Sequence, residues 1–118
     1  MAHRESLLAW VQATYGTLPE YPWRQYPAYA VLRHAGHGKW YGLIMDLPRE
    51  RLNLPGTGRV DVVNLKTSCA AGLLVSGLPG VFPAYHMNKQ HWITLALEGG
   101  LPDAELYGLV AESYALTR

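Results

Sequence analysis

The chain has one cysteine, no long apolar run and almost no net charge, and each shortage closes off a class of protein. Cys69 has no partner for an internal disulfide, which agrees with a reducing compartment. No apolar stretch approaches the roughly 18 residues a membrane span needs. The opening Met-Ala-His-Arg-Glu leads into an amphipathic pattern rather than a signal peptide. The expectation is a cytoplasmic protein with no membrane association. Ten Lys and Arg against nine Asp and Glu give a net charge of +1. A dedicated nucleic-acid binder usually carries more, because affinity for phosphates comes from counterion release by clustered positive charge. Arg49, Arg51 and Arg59 lie close together beside Glu50 and Asp61, and read as a solvated surface loop. Also missing are a phosphate-cradling glycine loop, zinc-ribbon spacing, internal repeats and low-complexity segments.

What is present suits a folded chain. At 118 residues, 49% hydrophobic and 16% charged, residues 1–118 read as one domain, monomeric by default. Leu7, Leu8, Val11 and Tyr15 recur at helical spacing from Arg4 to Tyr15, and Gly16 is placed to end that helix. Pro19, Pro22 and Pro27 forbid regular structure between Thr17 and Pro27 and leave Tyr21, Trp23 and Tyr26 on an extended connection over the core edge. Residues 29–34 and 39–46 read as two strands joined by a turn at Gly36-His37-Gly38. An exposed loop is expected over 48–58 and a strand over 60–66, with Asn64 and Lys66 together on one face. A short helix is predicted over 69–76, capped by Thr67 or Ser68 and stopped by Gly77 and Pro79. A strand over 93–97 should have one buried face and pair with an extended 84–87 across an Asn88-Lys89 turn. Gly99-Gly100 closes that strand, and Pro102, Asp103 and Glu105 begin a last helix with a stripe of Leu106, Leu109, Val110 and Tyr114. The order α-β-β-β-α-β-β-α, with short hairpins, implies an α+β domain of two layers, helices on one face of an antiparallel sheet.

Chemistry concentrates in the run from Pro83 to Trp92, where two histidines, two amides, a lysine and two large aromatics crowd together. His86 and His91 flank a turn, but no third donor completes a metal site, and none is expected. His34 and His37 bracket another turn with no carboxylate beside them. Cys69 at a helix start with His86 as base is a conceivable nucleophile, yet a small cysteine filling a gap between helix and sheet explains it more simply. No catalytic constellation and no cofactor are expected. Nucleic-acid contact asks for basic groups on phosphates beside amides and rings, and Asn64, Lys66, His86, Asn88, Lys89 and Trp92 supply those types on two segments that pairing brings together. The same residues also read as a structural network, with Asn88 forming the turn and His91 and Trp92 closing the core edge.

Several ordered blocks resemble the MmcQ/YjbR family of small bacterial proteins. They are Pro22-Trp23, Lys39-Trp-Tyr-Gly-Leu-Ile-Met-Asp46, Val60-Asp-Val-Val-Asn-Leu-Lys66, Pro83 to Thr94, Leu101-Pro-Asp103 and Ser113-Tyr114. After Lys66, where members of that family often carry Cys-Asp-Pro, this chain has Thr67-Ser68-Cys69. The resemblance implies a fold like that of secretion chaperones, and it carries a DNA-binding label with no catalytic residues or cofactor. Two functions follow as expectations. One is non-enzymatic binding of DNA through Asn64, Lys66, His86, Asn88, Lys89 and Trp92. The other is a protein- or peptide-binding adaptor, suggested by the chaperone-like fold and by Tyr21, Trp23 and Tyr26. An apolar groove would favour the adaptor, a continuous positive stripe DNA.

Overall fold

A computed structural model describes residues 4–68, 77–85, 87–98 and 101–118. Helix α1 spans Arg4–Tyr15 and buries Leu7 and Val11. It ends as its sequence requires: Gly16 takes φ +71°, and the N–H groups of Gly16 and Thr17 return to the carbonyls of Gln12 and Val11. Five strands follow: β1 Ala30–Arg33, β2 Trp40–Pro48, β3 Arg59–Lys66, β4 Val81–Pro83 and β5 Trp92–Ala96. Helix α2, Asp103–Leu116, closes the chain, with Asp103 and Glu105 in its first turn. The strands form one antiparallel sheet in the order β1-β2-β3-β5-β4. On the outer side of β1, Glu20 exchanges two backbone hydrogen bonds with Val31, at 3.1 and 2.8 Å.

Both helices pack on one face, as the amphipathic stripes require. Leu7 and Val11 of α1 and Leu106 and Val110 of α2 share a core with Leu32, Ile44, Val63, Leu65 and Leu95 of the sheet. One extra residue tunes this packing. Leu32 pairs with Gly42 while Arg33 pairs with Trp40, so Tyr41 is a bulge. Tyr41 falls on the helix face, where its ring meets Tyr15 and Tyr114 edge-on.

The other face is largely covered as well. Val31, Leu43, Met45, Val60 and Val62 form a second buried cluster, covered by Trp23, Tyr29, Leu54 and Tyr85 from irregular segments. β5 is accordingly buried on both sides, and Thr94 is inaccessible to solvent. The segment 48–58 also contributes: it holds a 3₁₀ turn over Arg49–Leu52 that buries Leu52, and Asn53 follows at φ +56°. The strand expected over 84–87 lies earlier, with Val81, Phe82 and Pro83 opposite Leu95, Thr94 and Ile93. Past Pro83, side chains take over from the ladder: Tyr85 N–H donates to Thr94 Oγ1 at 2.9 Å, and Tyr85 C=O accepts from Asn64 Nδ2 at 2.7 Å. The helix expected over 69–76 and the Gly99-Gly100 stop lie outside the described residues.

Hydroxyl groups tie the last helix to the sheet. Ser113 Oγ donates to the Tyr41 carbonyl at 2.6 Å and accepts from the Lys66 N–H at 2.9 Å. Thr117 Oγ1 donates to the Ser113 carbonyl, so the His34 Nε2 that sits 2.7 Å from it is the donor of that contact. Burial holds the His34 ring below its ordinary pKa, helped by the positive fields of His37, Arg118 and Lys39 and opposed by a backbone hydrogen bond at Tyr114. The folded state therefore favours a neutral ring, while the unfolded chain takes up a proton below about pH 6.5. This contribution to stability is complete above that pH and is lost as pH falls toward the folded value. A urea midpoint that declines between pH 7 and pH 5, with a shallower decline in His34→Gln, is the expected result.

Candidate functional site

β3 and β5 bring the polar segments together, with Lys66 opposite Trp92 and Asn64 opposite Thr94. They do not make one exposed surface. Asn64 is wholly buried, accepting from Thr94 Oγ1 at 2.5 Å and donating to Tyr85 C=O. Strand alternation does put it with Lys66, but that face is covered, so Asn64 is corrected from contact residue to structural clasp. Asn88 is exposed and shapes its turn: its side chain accepts from Gln90 N–H at 2.8 Å, and its carbonyl accepts from the N–H groups of His91 and Trp92. Lys89 and His91 are exposed, Lys66 and Trp92 half-buried. His86 lies outside the described residues. Of the six candidates, Lys66, Asn88, Lys89 and Trp92 remain within reach of solvent.

Basic charge forms no continuous stripe among the described residues. Arg59 Nε meets Asp46 at 2.7 Å, Arg4 meets Asp61 at 3.0 Å, Arg33 meets Glu20 at 3.2 Å, and Arg49 is paired with Glu98. A cleft of about 230 Å³ between Arg4, Asp46, Arg59, Asp61 and Glu98 is thus filled with charges that already satisfy one another. Among the described residues no three His, Cys, Asp or Glu side chains gather closely enough to hold a metal ion. No helix there is long and apolar enough to cross a membrane.

The second face of the sheet holds a different cavity, of about 270 Å³ and open to solvent. Trp23, Tyr26, Tyr29 and Trp40 wall it. Leu43 and Met45 of β2 line it from the sheet, and Met87 from the segment before the Asn88 turn. The three prolines of the 19–27 connection limit its pairing with the sheet to the single Glu20–Val31 bridge, and its rings fold back onto one another. Trp23 stands at 82° to Trp40 and at 80° to Tyr29, with centroids 5.7 and 6.1 Å apart, and Tyr26 stacks on Tyr29 at 4.7 Å. Arg33 lies over the Trp40 ring at 5.9 Å. Burial pushes the Tyr29 hydroxyl up from its usual pKa, as do Asp46, Tyr26 and Tyr85, so it remains a neutral phenol. Such a pocket accepts an apolar or aromatic group, because its interior is ring, thioether and aliphatic surface. Tyr21 and Tyr26 stay about half exposed, at 52% and 50%.

Trp23 and Tyr26 of this pocket were marked by the proline-broken aromatic run. Tyr29, Trp40, Leu43, Met45 and Met87 were not. The first four read as ordinary strand residues in sequence, and no periodicity links them to Met87.

The YjbR family profile matches residues 12–116. The uncharacterized protein YyaQ of Bacillus subtilis (strain 168) is 43% identical over 118 residues, the full length of both chains. A crystal structure of a Pseudomonas syringae protein superposes with a TM-score of 0.94 at 43% identity, covering 98% of this chain and 99% of the other. A Deinococcus radiodurans protein, 23% identical, shares the fold at a TM-score of 0.68, over 98% of this chain and 78% of that one.

Proposed function

The chain belongs to the YjbR family, and from that premise we propose that it is a non-enzymatic adaptor that grips an apolar segment of a partner protein on the second face of its sheet. The open pocket between Trp23, Tyr26, Tyr29 and Trp40 carries this reading. Aromatic rings packed against each other present large apolar area with little rotamer entropy left to lose, the property that makes Trp and Tyr dominate binding hot spots. Selection from a displayed random peptide library should enrich sequences with bulky apolar residues. Trp23→Ala should weaken the selected peptides about 30-fold or more, and the half-exposed Tyr26→Ala less, with circular dichroism showing both variants folded. Peptides that bind Trp23→Ala as well as the parent would remove the pocket from the function.

A second reading keeps DNA as the partner through Lys66, Asn88, Lys89 and Trp92. It draws on the pairing of Lys66 with Trp92 and the exposed Asn88-Lys89 turn just before that strand. It requires binding that weakens steeply with salt, because phosphate contacts release counterions. Anisotropy titrations with duplex and single-stranded oligonucleotides at low salt test it: a loss of binding in the Lys66→Glu, Lys89→Glu double variant supports it, and binding insensitive to salt or to those changes ends it.

A further inference from the structure

The segments that build the apolar groove are charged with one sign only. Residues 21–45 and 62–97 together contain five of the ten Lys and Arg, namely Arg24, Arg33, Lys39, Lys66 and Lys89, and none of the nine Asp and Glu. The rest of the chain is correspondingly acidic, so the near-zero total conceals a strong asymmetry. Placement reinforces it. Arg24 and Lys39 adjoin Trp23 and Trp40 in the chain, Lys89 lies two residues from Met87, and Lys66 lies two residues past Asn64 on the same strand face, Asn64 being the partner of Leu43 on β2. The sheet's carboxylates are already engaged by arginines: Asp46 and Asp61, opposite each other in β2 and β3, fall by strand alternation on the helix side and hold Arg59 and Arg4, and of the two it is Asp46 whose field reaches Tyr29 at the margin of the groove. Of the five cations, Arg33 has a carboxylate beside it, Glu20, at the edge of the sheet.

Resting on the reading of the groove as a peptide site, we infer that its partner is an acidic segment with a bulky apolar residue at its centre. The apolar side chain enters the aromatic pocket, and flanking carboxylates meet Lys66 and Lys89 on one side and Arg24 and Lys39 on the other. A single-stranded nucleic acid has the same charge, but it needs free ring faces on which to stack bases. Here Tyr26 already covers a face of Tyr29, and Trp23 is set nearly perpendicular to both Trp40 and Tyr29. The arrangement suits a side chain inserted among rings better than a base laid upon one.

Fluorescence-anisotropy titration of the whole chain with three labelled probes decides the matter. The first is acetyl-Asp-Glu-Leu-Phe-Asp-Glu-amide, the second the same core flanked by Ser and Asn, and the third an oligothymidylate. The acidic peptide is expected to bind about tenfold tighter than the neutral one at low ionic strength, with the advantage fading as salt screens it. Lys66→Glu combined with Lys89→Glu should erase that advantage, weakening the acidic peptide far more than the neutral one. Equal affinity for the two peptides overturns the charge inference and leaves the groove as a peptide site. Binding of the oligonucleotide alone, or of none of the three, overturns both.

Discussion

Asn64→Asp is expected to lower stability by about 3–5 kcal/mol at pH 7, the cost of leaving a buried charge without a partner. Asn64 is inaccessible to solvent and uses both ends of its amide. Its oxygen receives the Thr94 hydroxyl and its nitrogen donates to Tyr85 C=O. A carboxylate keeps the first contact and loses the second, and one of its oxygens then faces a carbonyl oxygen with no proton between them. For a domain of this size that amounts to a fall of roughly 10–20 °C in Tm. The pH dependence identifies the cause. Burial raises the pKa of the introduced carboxyl, so the folded variant holds its proton where the unfolded chain has released it, and the deficit relative to the parent shrinks as pH falls from 7 toward about 4. A deficit independent of pH would show that packing rather than charge is responsible. Thermal unfolding of parent and variant across that range measures it.

Ser113→Ala is expected to cost about 2–3 kcal/mol, more than a typical hydroxyl deletion, because one oxygen serves two strands. Removing it strands the Tyr41 carbonyl on β2 and the Lys66 N–H on β3. The Tyr41 carbonyl belongs to the bulge residue, outside the regular pairing of β1 and β2, which is why it depends on a side chain. Hydrogen exchange supplies the specific signature: the Lys66 amide should lose protection well beyond the global change, while amides in the middle of β2 follow the global change alone. Loss of stability without a selective effect at Lys66 would mean that Ser113 matters only for its packing.

Helix α1 was legible in sequence to the residue, since a clean apolar stripe runs into a glycine that only a left-handed turn would want. The first hairpin was legible from its Gly-His-Gly break to within one or two residues at each strand end. The misplaced fourth strand has a definite reason: Ala84 to Met87 has extended composition, but the Tyr85 backbone is claimed by the side chains of Asn64 and Thr94, and such contacts leave no periodic trace. Asn64 itself was misread for a related cause. Alternation assigned it to the right face, and a polar residue there suggested solvent, yet that face is roofed by Trp23, Tyr29 and Tyr85 from segments without repeating pattern. The pocket is legible only in part on the same grounds. Its proline-flanked rings stand out, whereas Met45 and Met87 meet across 42 positions that no local rule connects.

The two flanks of the sheet have a consequence for how copies of this protein meet at high concentration. At β1, both backbone groups of Val31 are engaged by Glu20; at β4, the Val81 N–H turns back to Leu78 and Pro83 has none to offer. Among the described residues neither margin presents a free row of donors on which a foreign strand could zip, the usual seed of fibrous self-association. Whatever docks must therefore do so through side chains on the broad surface, which makes recognition depend on residue identity rather than on the backbone every polypeptide shares.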